Sequence, residues 1–146
     1  MITIAARSME QITKAAEDAY PNECCGLLAG LGAQDRDITI TRVQPSDNVA
    51  EERIQDRFEV APKVRFDLMR ELENGPERIV GHYHSHPDHP AKPSDHDLKM
   101  AFEPDLVWLI VAVTKGKAAD CKAYRVNEDA TAFQETPLST DLKGPS

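Results

Sequence analysis

Apolar residues recur along the chain at two different spacings, and the change between them predicts an alternation of strands and helices. A helical spacing of three to four residues predicts one helix from Ser8 to about Ala19 and another that opens at Pro62 and closes before Gly75. Short or alternating apolar runs predict strands at residues 2–5, 23–30, 37–43, 78–81, 106–113 and 118–126, and a short strand or an extended lead-in to the second helix at 57–60. This order is typical of an α+β, or mixed α/β, layered fold.

Local signals predict where several of these elements begin and end. Ser8 and Gln11 have the spacing of a capping box, which predicts Ser8 as the N-cap of the first helix. Lys115-Gly116-Lys117 predicts a hairpin turn before the last strand. The polar stretch 45–55 predicts a mobile loop, and whether it gates the site is not predicted. Residues 127–146 are predicted to be a poorly ordered tail, so a single domain is expected over residues 1–126.

The histidines change this picture, because all five lie between positions 82 and 96. Side chains on a strand alternate between its two faces. His82, His84 and His86 are therefore predicted to share one face. Ser94 is predicted to cap a short third helix that runs to about Phe102, which places Asp97 one turn inside it. Two or three imidazoles on one face and a nearby carboxylate are a candidate zinc chelate.

Each histidine also has a structural interpretation without a metal. A single His-x-His pair is weak evidence, and histidines near prolines are common in surface loops. The loop that follows the pair contains prolines at positions 87, 90 and 93, which stiffen it and favour a preorganised site. We interpret His82 as a packed histidine, and His89 and His96 as loop or outer-shell residues.

Glu23 opens the second predicted strand. Taken alone, it would be interpreted as a solvent-facing glutamate at a strand end. Beside a metal-bound water, however, a carboxylate can act as general acid and base. Cys24 and Cys25 are most simply small core residues, with a redox or ligand role as the alternative.

Together these residues resemble the JAMM signature of the MPN-plus zinc metallopeptidases. The signature has three parts: an upstream glutamate, a His-x-His-Pro segment and, six residues later, a Ser-x-x-Asp segment. The glutamate is found here in Glu23-Cys24-Cys25-Gly26-Leu27-Leu28. The other two parts are His84-Ser85-His86-Pro87 and Ser94-x-x-Asp97. No motif position departs from the pattern, and the spacing of the surrounding elements extends the similarity over most of residues 1–126. The short length and the Glu-Cys-Cys-Gly segment are similar to the small prokaryotic branch.

The resemblance implies the MPN, or cytidine deaminase-like, fold with helices around a curved mixed sheet. It implies one zinc per chain, held by His84, His86 and Asp97 with a water as fourth ligand. It also implies Glu23 as the general acid and base and Ser94 as hydrogen-bond donor to the oxyanion. The helix cap and the oxyanion are expected to compete for the Ser94 hydroxyl, and catalysis is expected to claim it when substrate is bound. The substrate that it implies is a peptide or isopeptide bond after the C-terminal Gly-Gly of a ubiquitin-like or sulfur-carrier protein.

Charge and cysteine content narrow the class of partner. The chain has 146 residues and a formal net charge of −8, which argues against nucleic acid or an anionic membrane as partner. It contains no apolar run long enough to cross a membrane and no signal-peptide pattern at its start. Three cysteines, two of them adjacent, do not make a disulfide framework, so a reducing cytoplasm is expected.

Other functions remain open from the sequence. A zinc deaminase would require a His-x-Glu segment followed by Pro-Cys-x-x-Cys, which the chain lacks. A non-catalytic zinc module is predicted to lack one of the motif residues, and here all are present. A zinc amidase that acts on a small-molecule amide needs the same zinc and glutamate, and other divalent metals could replace zinc in vitro. The oligomeric state and the physiological substrate are not predicted.

Overall fold

The computed structural model describes residues 1–32, 37–101, 103, 105–127, 129 and 131–140. Over these residues the predicted alternation of strands and helices is largely confirmed. The helices are α1 (Ala6–Ala19), α2 (Pro62–Leu72) and α3 (Asp95–Lys99). The strands are β1 (Ile2–Ile4), β2 (Cys25–Leu31), β3 (Ile38–Ser46), β4 (Arg78–Pro87), β5 (Val107–Thr114), β6 (Lys117–Val126), β7 (Phe133–Thr136) and β8 (Leu138–Ser139).

The strands form one mixed sheet in the order β7-β6-β5-β4-β2-β3-β1-β8. β4 runs parallel to β5, and β1 runs parallel to both of its neighbours, while the other pairs are antiparallel. Only Pro137 separates β7 from β8, yet these strands form the two opposite edges of the sheet. If the sheet were flat, its edges would be about 34 Å apart, at about 4.8 Å per strand. The two Cα–Cα steps from β7 to β8 cover only about 7 Å. The sheet therefore curls until its two edges meet, as expected for the curved sheet that the resemblance implies.

The two faces of the sheet bury two separate apolar clusters. One cluster lies beneath α1, which contributes Ile12 and Ala16 to it. The other cluster, on the opposite face, contains Trp108 and Tyr124. β5 contributes buried residues to both clusters, as expected for a strand that is covered on both faces. The predicted hairpin between β5 and β6 is also confirmed, because Lys115 and Gly116 both have positive φ, of 50° and 85°.

The predicted cap of α1 is wrong. The helix begins at Ala6, and its N-cap is Ala5, which makes no side-chain capping bond. β1 ends at Ile4, so the chain passes from strand into helix without a loop, and the N–H of Met9 already donates to the carbonyl oxygen of Ala5 at 3.0 Å. Ser8 consequently lies inside the first turn, and the N–H groups that follow it already bond within the helix, so it has none to cap.

Two further predictions differ from the structure. Of the two alternatives for residues 57–60 the strand is wrong; apart from an isolated bridge between Val60 and Asn48, they belong to the loop that leads into α2. The predicted tail over 127–146 is wrong for residues 133–139, which form β7 and β8 against β6 and β1. The last predicted residue of the third helix, Phe102, and positions 141–146 lie outside the described residues. Among those described, no helix is long and apolar enough to span a membrane.

Candidate metal centre and active site

Strand β4 presents two histidines on the face of the sheet opposite α1. His84 and His86 alternate along this strand with Tyr83, which is buried in the cluster beneath α1. Both imidazoles are themselves buried, with exposed fractions of 0% for His84 and 6% for His86. The strand therefore brings these two predicted site residues together, and Asp97 joins them from α3.

His82 shares this face but packs rather than coordinates. Its ring lies edge-on to Trp108, with centroids 4.3 Å apart, and 5.6 Å from the ring of Phe58. Burial lowers the pKa of His82 to about 3, which keeps its imidazole neutral. In the described part of the chain it does not belong to the group of metal-ligating side chains. The interpretation of His82 as a packed histidine is therefore confirmed.

The capping box of α3 places Asp97. Ser94 is the N-cap, and its Oγ accepts a hydrogen bond from the N–H of Asp97 at 3.0 Å. In return, Oδ2 of Asp97 accepts from the N–H of Ser94 at 2.9 Å. Asp97 is 4% exposed, and its carboxylate and its main chain are each held by one hydrogen bond to Ser94. The predicted cap and the predicted helical position of Asp97 are both confirmed.

The three candidate ligand atoms form a nearly regular triangle. His84 Nε2 lies 3.0 Å from His86 Nε2, and Asp97 Oδ2 lies 3.4 Å and 3.2 Å from these two nitrogens. Ligands about 2.0–2.1 Å from a tetrahedral ion are separated by about 3.3–3.4 Å. The residues therefore fit one small four-coordinate metal ion, with its fourth position left to a non-protein ligand.

The electrostatics of the triangle favour the protonation states that a metal requires. Burial lowers the pKa of His84, which leaves this imidazole neutral. Burial alone would raise the pKa of Asp97, but the adjacent ring nitrogens of His84 and His86 hold that pKa well below its usual range. His86 Nδ1 lies 3.0 Å from the carbonyl oxygen of Pro90, which only accepts. The ring proton is therefore held on Nδ1, and Nε2 is left as the ligand.

Glu23 lies just before β2 and points into the same cleft. Its side chain lines a cavity of about 470 Å³ together with His86 and Ser94. Glu23 is only 3% exposed, and its Oε1 has no hydrogen-bond partner among the described residues. Burial, with the nearby charges of Asp97 and Asp56, raises the pKa of Glu23 to about 9. A buried carboxyl without a partner is costly unless a ligand completes it.

The loop between β3 and α2 holds the main chain of Glu23, which the sequence did not predict. The N–H of Glu23 donates to the carbonyl oxygen of Ile54 at 2.7 Å. The carbonyl oxygen of Glu23 accepts from Nδ2 of Asn48 at 3.2 Å. Asn48 uses its full amide, because it also donates to Arg57 and accepts from the N–H groups of Ala50 and Glu59.

Phe58, from the same loop, covers one ligand. Its ring stacks on that of His84, with centroids 4.2 Å apart and planes inclined by 14°. Phe58 also contacts Trp108 edge-on at 6.0 Å. An aromatic residue after a polar stretch was a weak signal for this contact. The stacking fixes the plane of the imidazole and helps to keep water away from it.

The hydroxyl of Ser94 is less constrained than the sequence suggested. As a helix cap, Oγ acts only as an acceptor, toward the N–H of Asp97. The Ser94 hydroxyl hydrogen donates to no described residue, and the side chain lines the cavity of Glu23. Because a hydroxyl can accept and donate at once, the expected competition between cap and oxyanion does not arise.

A second cavity, of about 330 Å³, lies beside the metal centre. Its apolar wall includes Leu27, Phe58 and Trp108, and Asp97 and His96 lie at the side that faces the metal centre. His96 also lines the cavity of Glu23, so the two spaces adjoin at this residue. A substrate bound at the metal centre therefore has room on two sides.

A family model described as prokaryotic homologs of the JAB domain matches residues 5–127. The chain belongs to this prokaryotic JAB family. Two curated relatives have named activities. A desampylase of Haloferax volcanii is 34% identical over 115 residues, which cover 75% of this chain and 78% of the relative. A CysO-cysteine peptidase of Mycobacterium tuberculosis is 29% identical over 139 residues, which cover 95% and 90% of the two chains.

The structure of a JAB1/MPN domain protein from Archaeoglobus fulgidus shows that the JAB chain has the MPN fold. The two structures superpose with a TM-score of 0.58 at 20% sequence identity, and the match covers 94% of this chain and 96% of the Archaeoglobus protein. The α+β fold class predicted from the sequence is confirmed. The matched residues 5–127 contain every residue of the predicted site.

The remaining sequence candidates take no part in this JAB metal group. His89 is exposed, and Cys24 and Cys25 are free thiols outside the described metal-ligating set. Burial raises the pKa of Cys25 to about 12, and its Sγ lies 3.7 Å from the carbonyl oxygen of Asp47. The two cysteines are thus small packing residues, as interpreted from the sequence.

Proposed function

We propose that this JAB chain is a zinc-dependent peptidase that cleaves a peptide or isopeptide bond after the C-terminal Gly-Gly of a ubiquitin-like or sulfur-carrier protein. One observation carries the proposal: three ligand atoms at tetrahedral spacing adjoin a cleft that contains the buried, unpartnered carboxyl of Glu23. The names of the desampylase and the CysO-cysteine peptidase support a carrier protein as the substrate.

The donor set supports zinc, with one ion per chain. Two imidazole nitrogens and one carboxylate oxygen, from His84, His86 and Asp97, leave one position open, as in catalytic zinc sites. Bound zinc would polarise the scissile carbonyl and lower the pKa of an attacking water to about 7.

Glu23 moves the proton in this proposal. It accepts a proton from the attacking water and delivers it to the nitrogen of the leaving amine as the C–N bond breaks. The pKa of about 9 applies to the cleft without a bound metal ion. A divalent cation nearby favours the charged carboxylate and lowers that pKa, which makes Glu23 a base at neutral pH.

Ser94 contributes to catalysis in this proposal as a hydrogen-bond donor to the oxyanion. The negative charge that develops on the carbonyl oxygen is stabilised by the hydroxyl hydrogen, which no described residue accepts. The helix bond to Asp97 orients Oγ without using this hydrogen. A single oxyanion donor can contribute about 3 kcal/mol to the transition state.

Metal analysis and cleavage on the same samples test the proposal. Zinc content is measured by elemental analysis for wild type and Glu23→Gln, and each is incubated with a ubiquitin-like carrier that bears residues beyond its Gly-Gly. Intact mass then shows whether the extension is removed. We expect one zinc in each protein and cleavage by wild type alone.

The contrary outcomes separate the parts of the proposal. Wild type without stoichiometric zinc after reconstitution would refute the metal centre. Zinc in both proteins with cleavage only of a small amide would favour a zinc amidase instead. Cleavage by Glu23→Gln at the wild-type rate would remove Glu23 from the mechanism.

A further inference from the structure

The cavity of Glu23 is lined by three cationic side chains, and by the carboxyl groups of Asp56 and Asp95 besides that of Glu23 itself. Arg53, Arg57 and Lys92 all line it, in a protein whose formal net charge is −8. Arg53 forms an ion pair with the carboxylate of Asp56. The other two differ: among the described residues, neither the guanidinium of Arg57 nor the ammonium of Lys92 has an ion pair or a side-chain hydrogen bond.

Two hydrogen bonds hold the main chain at Arg57. Its carbonyl oxygen accepts from Nδ2 of Asn48 at 2.9 Å, and its N–H donates to the carbonyl oxygen of Arg53 at 2.8 Å. The same Nδ2 also bonds the carbonyl oxygen of Glu23. One amide group therefore sets the position of the candidate base and of an uncommitted cation together.

Lys92 approaches from another segment, the rigid loop between β4 and α3. Its N–H donates to the carbonyl oxygen of Pro90 at 2.8 Å, and Pro93 follows it. The preceding residue, Ala91, is buried, and its carbonyl oxygen accepts from the hydroxyl of Tyr124 at 2.6 Å. Two cations that have no ion pair among the described residues thus line one cleft, beside one uncommitted surface carboxylate. This excess of positive charge favours an anionic ligand.

We propose that Arg57 and Lys92 bind the carboxylate of the leaving group, so that the substrate is a single amino acid joined through its α-amine to the Gly-Gly of the carrier. This inference rests on the proposed function. Hydrolysis adds OH to the glycine carbonyl carbon and a proton to the leaving nitrogen. In an α-amino acid the free carboxylate is one carbon away from that nitrogen, so it lies in the same cleft. The ε-amine of a lysine within a protein carries no carboxylate so close.

Three carrier substrates test this preference. The first carries alanine with a free carboxylate after Gly-Gly, the second carries alaninamide, and the third is joined to the ε-amine of a lysine within a peptide. We expect wild type to cleave the first about 10-fold or more faster than the second in kcat/KM, since a hydrogen bond to a charged group is worth about that factor. The third should resemble the second.

Variants then assign the preference to the two cations. Arg57→Gln and Lys92→Gln should raise KM for the carboxylate substrate and bring the carboxylate-to-amide ratio toward one, while cleavage of the amide stays within about 2-fold. Arg57→Lys, which keeps the charge, should restore part of the ratio. Arg53→Gln is the matched control, because its guanidinium is already paired, and its ratio should equal that of wild type.

The outcomes distinguish this inference from the function beneath it. Equal cleavage of all three substrates by wild type, or an unchanged ratio in both Gln variants, would overturn the carboxylate subsite and leave the peptidase standing. Cleavage of none of them by zinc-loaded wild type would overturn both.

Discussion

Replacing Asn48 by aspartate should slow catalysis without removing the metal, because this amide holds the main chain of Glu23. Nδ2 donates to the carbonyl oxygens of Glu23 and Arg57, at 3.2 Å and 2.9 Å. Oδ1 accepts from the N–H groups of Ala50 and Glu59, at 3.1 Å and 3.0 Å. Aspartate keeps the acceptor and loses both donors, so it breaks the bond to Glu23 while the loop can retain its other two.

The size of the effect follows from the number of bonds lost. A neutral hydrogen bond contributes about 0.5–1.5 kcal/mol, so the two lost donors cost about 1–3 kcal/mol. A domain of this kind has a free energy of unfolding of about 5–15 kcal/mol, so we expect the variant to remain folded. The carboxyl of Glu23 would lose its alignment, and a displacement of about 1 Å costs about 100-fold in rate. We therefore expect kcat to fall about 10- to 100-fold.

The assay measures kcat, KM and zinc content for wild type, Asn48→Asp and a control. Asn127→Asp is a matched control: Asn127 accepts from the N–H groups of Thr131 and Ala132 and donates to the hydroxyl of Thr131, all in the loop after β6. Its kcat should be that of wild type. A wild-type kcat in Asn48→Asp, or an equal fall in the control, would refute the reasoning.

Other predictions concern the ligands and the two catalytic candidates. His84→Ala should lose stoichiometric zinc in elemental analysis while the exposed His89→Ala keeps it; full zinc in the first would contradict the ligand assignment. In the metal-free protein, raising the pH from about 5 to 9 should lower the melting temperature of wild type more than that of Glu23→Gln, because the folded state retains a proton on Glu23 that the unfolded chain, with a pKa of 4.5, has lost. If the melting temperatures of the two proteins fell equally with pH, the pKa of Glu23 would not be raised. Ser94→Ala should keep its zinc and lower kcat by about 10²- to 10³-fold. An unchanged kcat would show that the hydroxyl only caps the helix.

The arrangement of the three candidate metal ligands could be predicted from the sequence because its geometry is local. His84 and His86 are two residues apart on one strand, so their shared face follows from the pleat. Asp97 is three residues after a helix-capping serine, so its position follows from the capping box. Only the approach of α3 to β4 needed tertiary structure, and the proline-stiffened loop between them is short.

The support of Glu23 could not be predicted in the same way. Its partners are a side chain 25 residues away and a main-chain carbonyl, that of Ile54, neither of which carries a motif. The strands β7 and β8 were missed for a related reason. Their segment, Phe133–Ser139, is short, is mostly polar and contains Pro137, so its extended form depends on pairing with β6 and β1 rather than on its own composition.

The single residue between β7 and β8 also has a consequence for association between molecules. Because Pro137 joins the two borders of the sheet, a chain shortened after Val126 would lose both outer strands in one step. β6 and β1 would then expose unpaired N–H and C=O groups, and such borders readily pair with strands of neighbouring molecules. This closing segment therefore helps to keep the protein from aggregating, a role independent of the candidate metal centre.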